Sequence, residues 1–165
     1  MIKYRKALLE DIPTLKKLLW KYGPNEWNYL TQEGVDGEFK LLNKGTALAI
    51  VATSEDEIVG FSVLIDGSES PKYLSKYCKI EEMCFIGDVL VSSLYSGKGI
   101  ATKLLEACLN ESKNKAISTV LIERHEENLA SASMMKKAGF HIVDTFYDPD
   151  KREAGSRNSV ILAFK

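Results

Sequence analysis

The sequence predicts one mixed α/β (α+β) domain over residues 1–165, with a mostly antiparallel central sheet and helices on both faces. Three patterns predict it. Two apolar runs, 46–53 and 58–65, flank Ser54-Glu55-Asp56-Glu57 and read as an antiparallel hairpin. Residues 85–91, a glycine turn and an apolar stripe at helical spacing over 100–115 make a strand–turn–helix unit, and a further strand follows at 117–123. Residues 140–146 and 159–164 close the chain as two more strands.

Each element has its own signal. Ile2-Lys3-Tyr4-Arg5 is a short first strand. Asp11 with Pro13 starts a helix whose apolar face carries Leu15, Leu18, Leu19 and Tyr22, and Gly23-Pro24 stops it. Residues 26–42 form a second, broken helical region. After the hairpin, residues 66–79 are polar, contain Gly67 and Pro71, and read as a long loop. Residues 80–91 are the long strand before the glycine turn. Ile100, Ala101, Leu104, Leu105 and Cys108 recur at helical spacing. Val120, Leu121 and Ile122 lead the next strand, which a crossover makes parallel to 80–91. Asn128 caps a short helix that Gly139 ends. Residues 148–158 are a polar loop between the closing strands.

Composition excludes several classes. Twenty-two basic and 23 acidic residues are interspersed, with net charge −1, so no basic stripe offers itself to nucleic acid or to an anionic membrane. No apolar h-region follows the first charges, and no apolar run reaches membrane-spanning length. Cys78, Cys84 and Cys108 are odd in number and lack a C-x-x-C pair, so a reduced, cytoplasmic protein is expected. Only His125 and His141 are available as imidazoles, and no metal centre is expected.

The chemistry starts at Ser96-Gly97-Lys98-Gly99-Ile100-Ala101. A strand, a glycine turn and a helix start leave unpaired main-chain N–H groups at the positive end of a helix dipole, where a phosphate fits. Plain turn punctuation is the bland alternative. A dinucleotide site is another. Gly97 and Gly99 match its G-x-G, Thr102 replaces its third glycine, and Glu123 stands near its ribose-binding acid. The turn, however, follows the middle strand of an antiparallel series rather than the first strand of a βαβ series.

A third reading draws on two distant segments. Val91-Ser92-Ser93-Leu94-Tyr95-Ser96-Gly97-Lys98-Gly99-Ile100-Ala101 resembles the acetyl-CoA loop of the GCN5-related N-acetyltransferase (GNAT) superfamily, whose pattern is Gln/Arg-x-x-Gly-x-Gly/Ala. Asn128-Leu129-Ala130-Ser131-Ala132-Ser133-Met134-Met135-Lys136-Lys137-Ala138-Gly139-Phe140 is similar to the family's second signature. One helix and one strand lie between them, and the hairpin with Val59-Gly60-Phe61 resembles the family's second and third strands. The resemblance implies acetyl-CoA as cosubstrate and a primary amine of a small molecule or peptide as acceptor. It implies main-chain contacts from Leu90 and Val91 to the pantetheine arm and acetyl oxygen. It places the diphosphate on Ser96, Gly97, Lys98, Gly99, Ile100, Ala101 and Thr102. Asn128 would meet the pantetheine arm, or serve only as a helix cap, and Ser131 would meet the phosphate region. Family members are often dimers, so a homodimer is open. Ser96 departs from the usual Arg or Gln, and Met135 stands where many members carry a general-acid Tyr. Those two departures favour a non-catalytic acyl-CoA-binding module as the rival.

Asp88 interrupts an apolar strand three residues before Val91. A carboxylate there is costly unless it is paired or lines a cavity, so it either serves the acceptor or bonds a neighbouring strand end. Tyr147 is a second catalytic candidate, in place of the missing Tyr. Glu26, Trp27 and Tyr29 are candidate acceptor contacts, within an acidic stretch that also holds Glu33, Asp36 and Glu38. Residues 66–79 and 148–158 are candidate walls of the acceptor cleft. His125, inside Glu123-Arg124-His125-Glu126-Glu127, reads as part of a solvated charged turn, and Cys84 and Cys108 as core.

Overall fold

Strand-forming runs assemble into one seven-stranded sheet in the order β1-β2-β3-β4-β5-β7-β6. The computed structural model describes all residues, 1–165. The elements are β1 Ile2–Lys6, α1 Ile12–Tyr22, α2 Gln32–Lys44, β2 Ala47–Ser54, β3 Glu57–Asp66, β4 Met83–Val91, α3 Ile100–Asn114, β5 Thr119–His125, α4 Leu129–Lys137, β6 His141–Tyr147 and β7 Asn158–Phe164. All strand pairs are antiparallel except β4–β5, which the α3 crossover makes parallel. The β2–β3 hairpin turns on Glu55 and Asp56, both at positive φ. Two left-handed residues match the twist of the strands they join.

Period-two alternation sends side chains to opposite faces of the sheet. One face packs Phe61, Val63, Phe85 and Ile161 under Leu15 and Leu19 of α1 and Val35 and Phe39 of α2. The other packs Leu64, Cys84, Ile86 and Ile122 under Leu104, Leu105 and Cys108 of α3 and Met135 of α4. Cys84 and Cys108 are core residues, and burial raises the Cys108 thiol to about 12.

The structure departs from the sequence reading in two places. Residues 80–82 are a 3-10 turn, and β4 begins at Met83, where β5 first pairs with it. The region 26–42 is helical only from Gln32, where Thr31 accepts a hydrogen bond from the Gly34 N–H at 3.0 Å. Before it, Asn25 and Asn28 form an isolated bridge. No helix is long and apolar enough to cross a membrane.

Candidate active site

β4 keeps its partner β3 as far as Gly60↔Val91, but pairs with β5 only from Met83↔Thr119 to Ile86↔Ile122. The register slips at Gly87, because Val63 faces Asp88 while Leu64 faces Ile86. A bulge of this kind bends its strand and increases its twist. Beyond it β5 follows β7, through Glu123↔Ile161 to His125↔Ser159. The parallel strands therefore part, and residues 87–91 face the gap with main-chain groups that no β5 ladder takes up. A cavity of about 210 Å³ occupies the gap, walled by Asp88, Leu90, Val91, Glu123, Asn128 and Met135 among others.

The glycine loop follows directly. The N–H groups of Gly97, Lys98, Gly99, Ile100, Ala101 and Thr102 donate to no acceptor in the chain. Gly97 and Gly99 both sit at φ +76°, and an added Cβ at either would meet nothing within 4 Å. Backbone conformation, not crowding, is what requires glycine there. The last three amides open α3, so its dipole adds to them. Six donors and a helix terminus suit a diphosphate. Ser96 is exposed and its Oγ donates to the Ser93 carbonyl at 3.0 Å. The Lys98 ammonium lies 5.3 Å from the Tyr95 ring centroid. A groove of about 290 Å³ runs from this loop to Ala130, Ser133 and Met134 of α4.

A second cavity, of about 580 Å³, adjoins the first and is walled by Tyr29, Glu38, Glu69, Lys72 and Lys151. Asp88 lines both cavities. Burial pushes its carboxyl above the ordinary value, while a hydrogen bond with Glu38 and the Lys151 charge pull it down. Glu38 is held well above the ordinary carboxyl value, first by burial, then by the Asp88 charge.

Sequence reasoning missed Glu123 as a wall of this site. Its side chain is 3% exposed, and one oxygen accepts from the Tyr73 hydroxyl at 2.6 Å and from the Lys151 ammonium. Its Oε1 has no hydrogen bond, and the Arg152 guanidinium stands 3.9 Å away. The signal was available: Glu123 breaks the apolar run Val120-Leu121-Ile122 as Asp88 breaks its own strand. Loop 148–158 supplies Lys151 and Arg152, and the 66–79 segment supplies Glu69 and Lys72, to the linings of these two cavities.

His125 corrects an expectation. It is 1% exposed and not part of a solvated turn. Its Nδ1 accepts from the Glu127 N–H at 2.9 Å, which leaves Nε2–H to donate to the Ala154 carbonyl at 2.7 Å. Trp27 covers it, with ring centroids 4.8 Å apart. Both ring nitrogens are engaged within the chain.

Of the other candidates, Leu90, Val91, Asn128, Ser131 and Trp27 line the smaller cavity and Tyr29 the larger. The Asn128 side-chain Oδ1 does cap α4, accepting from the Ser131 N–H at 3.2 Å. Glu26 and Tyr147 do not reach either cavity. Glu26 is exposed, and Tyr147 ends the edge strand β6 with 64% of its surface in solvent. Among the acids of 26–38, Glu38 is the one that turns inward.

The chain matches the acetyltransferase (GNAT) family over residues 12–140. It is 24% identical over 142 residues to N-alpha-acetyltransferase 30 of Schizosaccharomyces pombe, a match that covers 85% of this chain and 82% of that protein. A Bacillus subtilis acetyltransferase in complex with CoA has the same fold, with TM-score 0.76 and 18% identity over 100% of this chain and 99% of that one. A GNAT family acetyltransferase of Elizabethkingia anophelis with acetyl-CoA bound gives TM-score 0.73 and 18% identity over 99% and 97%. The dinucleotide alternative falls with these matches. The parted strands, the free amides of the glycine loop and the matched residues lead to one conclusion: the chain belongs to the GNAT acetyltransferase family and is an acetyl-CoA-dependent acetyltransferase.

Proposed function

We propose that residues 1–165 act as one N-acetyltransferase domain, passing acetyl from acetyl-CoA to a primary amine of a small molecule or peptide by direct attack with both substrates bound. The row of six amides without an acceptor, beside the parted strands, carries this reading. The cosubstrate supplies an acetyl group already activated as a thioester. The amides of residues 97–102 hold its diphosphate, with Ser131 on the phosphate side. Leu90 and Val91 offer main-chain groups to the pantetheine arm and acetyl oxygen, and preorganised donors of that kind suit developing oxyanion charge. Asn128 keeps its amide N–H groups for the arm while its oxygen caps α4.

The acceptor enters from the larger cavity. An alkyl ammonium, with pKa near ~10.4, must lose a proton before its nitrogen can attack. Asp88, where the two cavities meet, takes that proton. Trp27 and Tyr29 offer an aromatic face to each cavity. A thiol of pKa about 8.5 leaves readily as thiolate. Met135 has no proton to give it, whereas Tyr22 is the one phenol on the smaller cavity's lining. Ser92 and Lys21 hold the Tyr22 hydroxyl below the ordinary phenol value, which suits a proton donor there. Ammonium and thioester thus give amide, thiol and one proton. Three free cysteines, two of them buried, support a reducing, cytoplasmic setting.

The test has two stages. Acetyl-CoA at a hundredfold excess over Kd should stabilise the protein by about 2.7 kcal/mol. Free thiol should then appear with at least one member of a panel of polyamines, amino acids, aminoglycosides and peptide N-termini. Stabilisation with no thiol release from any amine overturns the proposal and leaves a binding module.

A further inference from the structure

Gly87 leaves room that another residue fills. A Cβ added there would sit 2.2 Å from Glu38 Oε1 and 2.7 Å from Ile65 Cδ1. The Glu38 carboxyl, reaching down from α2, therefore seats itself on the bulge at Gly87, on the same cavity lining as Asp88. Its Oε2 is fully buried and meets no N–H or O–H donor. An ionised oxygen in that position would be costly, whereas a protonated one is itself a donor. Asp88 follows Gly87 in the chain and lines the same cavity as Glu38, so its carboxylate is the nearest acceptor in reach of that proton.

We infer that Glu38 and Asp88 form one carboxyl pair sharing a single proton, with Glu38 as the positioning donor that keeps Asp88 ionised and aimed at the acceptor nitrogen. The inference rests on the reading of Asp88 as proton acceptor. Two carboxyls that share the lining of one buried site cannot both ionise cheaply, so one proton stays between them. The charged groups around the pair fit this count. Lys151, from the 148–158 loop, lowers Asp88 but is tied to Glu123 of β5. Glu69 is paired with Lys44. Lys72 and Tyr29 complete the titratable lining of the larger cavity, and Arg152 lies by Glu123.

The proton movement balances. One N–H bond of the acceptor ammonium breaks and its proton goes to Asp88, leaving the pair with two protons and no charge. The N–C bond forms as the C–S bond breaks. A second amine proton ends on the departing sulfur, and the pair returns its extra proton to solvent.

Two measurements test the pair. Isotope-edited infrared spectroscopy of the amine-free protein at pH 7 should show a protonated-carboxyl stretch that Glu38→Gln removes. The pH profile of kcat/KM should respond as well. Glu38→Ala should move the acid limb alkaline by about one pH unit, because Asp88 loses its donor. Glu38→Gln, whose amide still donates and whose shape is retained, should hold the limb within about 0.3 pH unit and keep most of the turnover. A merely structural Glu38 would lower Tm and leave the limb in place. Absence of the band, or an unmoved limb in Glu38→Ala, overturns the pair. Full turnover in Asp88→Asn overturns its catalytic part by removing the reading beneath it, and is told apart by the band's survival in the wild type. Should Glu38→Ala fail to fold, the band and the Gln variant still decide.

Discussion

The glycine loop and the carboxyl cleft meet along one short stretch, residues 87–102, yet they are built by opposite means. The loop offers main-chain N–H groups, so its chemistry depends on backbone conformation, and two glycines at φ +76° set that conformation locally. The cleft offers side chains. Asp88 comes from β4, Glu38 from α2, Glu123 from β5, and Lys151 from the loop between β6 and β7. Most side chains of the loop can therefore change with little loss, while single atoms of the cleft are expected to matter. Ser96 illustrates the first half: a short hydroxyl stands in the position of a long side chain, and the six amides remain.

Four variants sharpen or break this contrast. The largest effect is expected from Asp88→Asn, which should lower kcat by about 10² to 10⁴ while leaving the KM for acetyl-CoA within about twofold. Steady-state thiol release over both substrates measures it, and equal losses in both constants would erase the boundary between the two regions. Next comes Gly99→Val. A side chain at positive φ costs about 1–2 kcal/mol, so calorimetry should show acetyl-CoA binding weakened about tenfold, with turnover at saturation retained. A loss of kcat with unchanged affinity would show that the loop does more than hold.

Ser96→Arg should tighten acetyl-CoA binding only a few-fold, since an exposed ion pair contributes about 1 kcal/mol or less. A gain of a hundredfold would mean that side chains, not amides, dominate the loop. The smallest signal is in stability against pH. Glu38 has its folded pKa raised above its unfolded value, so the folded state binds more protons between the two. Stability should therefore rise as pH falls from 7 towards the ordinary carboxyl range, and Glu38→Gln should flatten that rise. Asp11 and Asp144 have folded values lowered by Arg5 and Tyr77, so their contribution is lost only at lower pH, outside that window. Thermal melts at pH 7.5 to 5 check it, and a wild type that loses stability across that range would contradict the shared proton.

Strand alternation and the hairpin, the strand–turn–helix unit, the Asn128 cap and the core cysteines were legible because each is fixed by residues close in the chain. Asp88 was legible as a carboxylate in an apolar strand, which must be paired or face a cavity. Glu38 was named only among acids of a polar stretch, because nothing near it in sequence separates it from Glu26 or Asp36. His125 was misread for the same reason. Its neighbours Glu126 and Glu127 suggest solvent, while the group that buries its ring, Trp27, lies far away in the chain.

What the sequence determined by itself is the glycine turn with its free amides and the sheet that carries it, since φ angles, caps and period-two burial act over a few residues. Tertiary structure alone decided which carboxyls meet, which tyrosine reaches the cavity and which histidine is buried. Those outcomes depend on α2 lying against the Gly87 bulge and on β4 parting from β5. The proton affinity of a carboxyl follows the dielectric and the charges that such packing brings to it, and neither exists until the chain has folded.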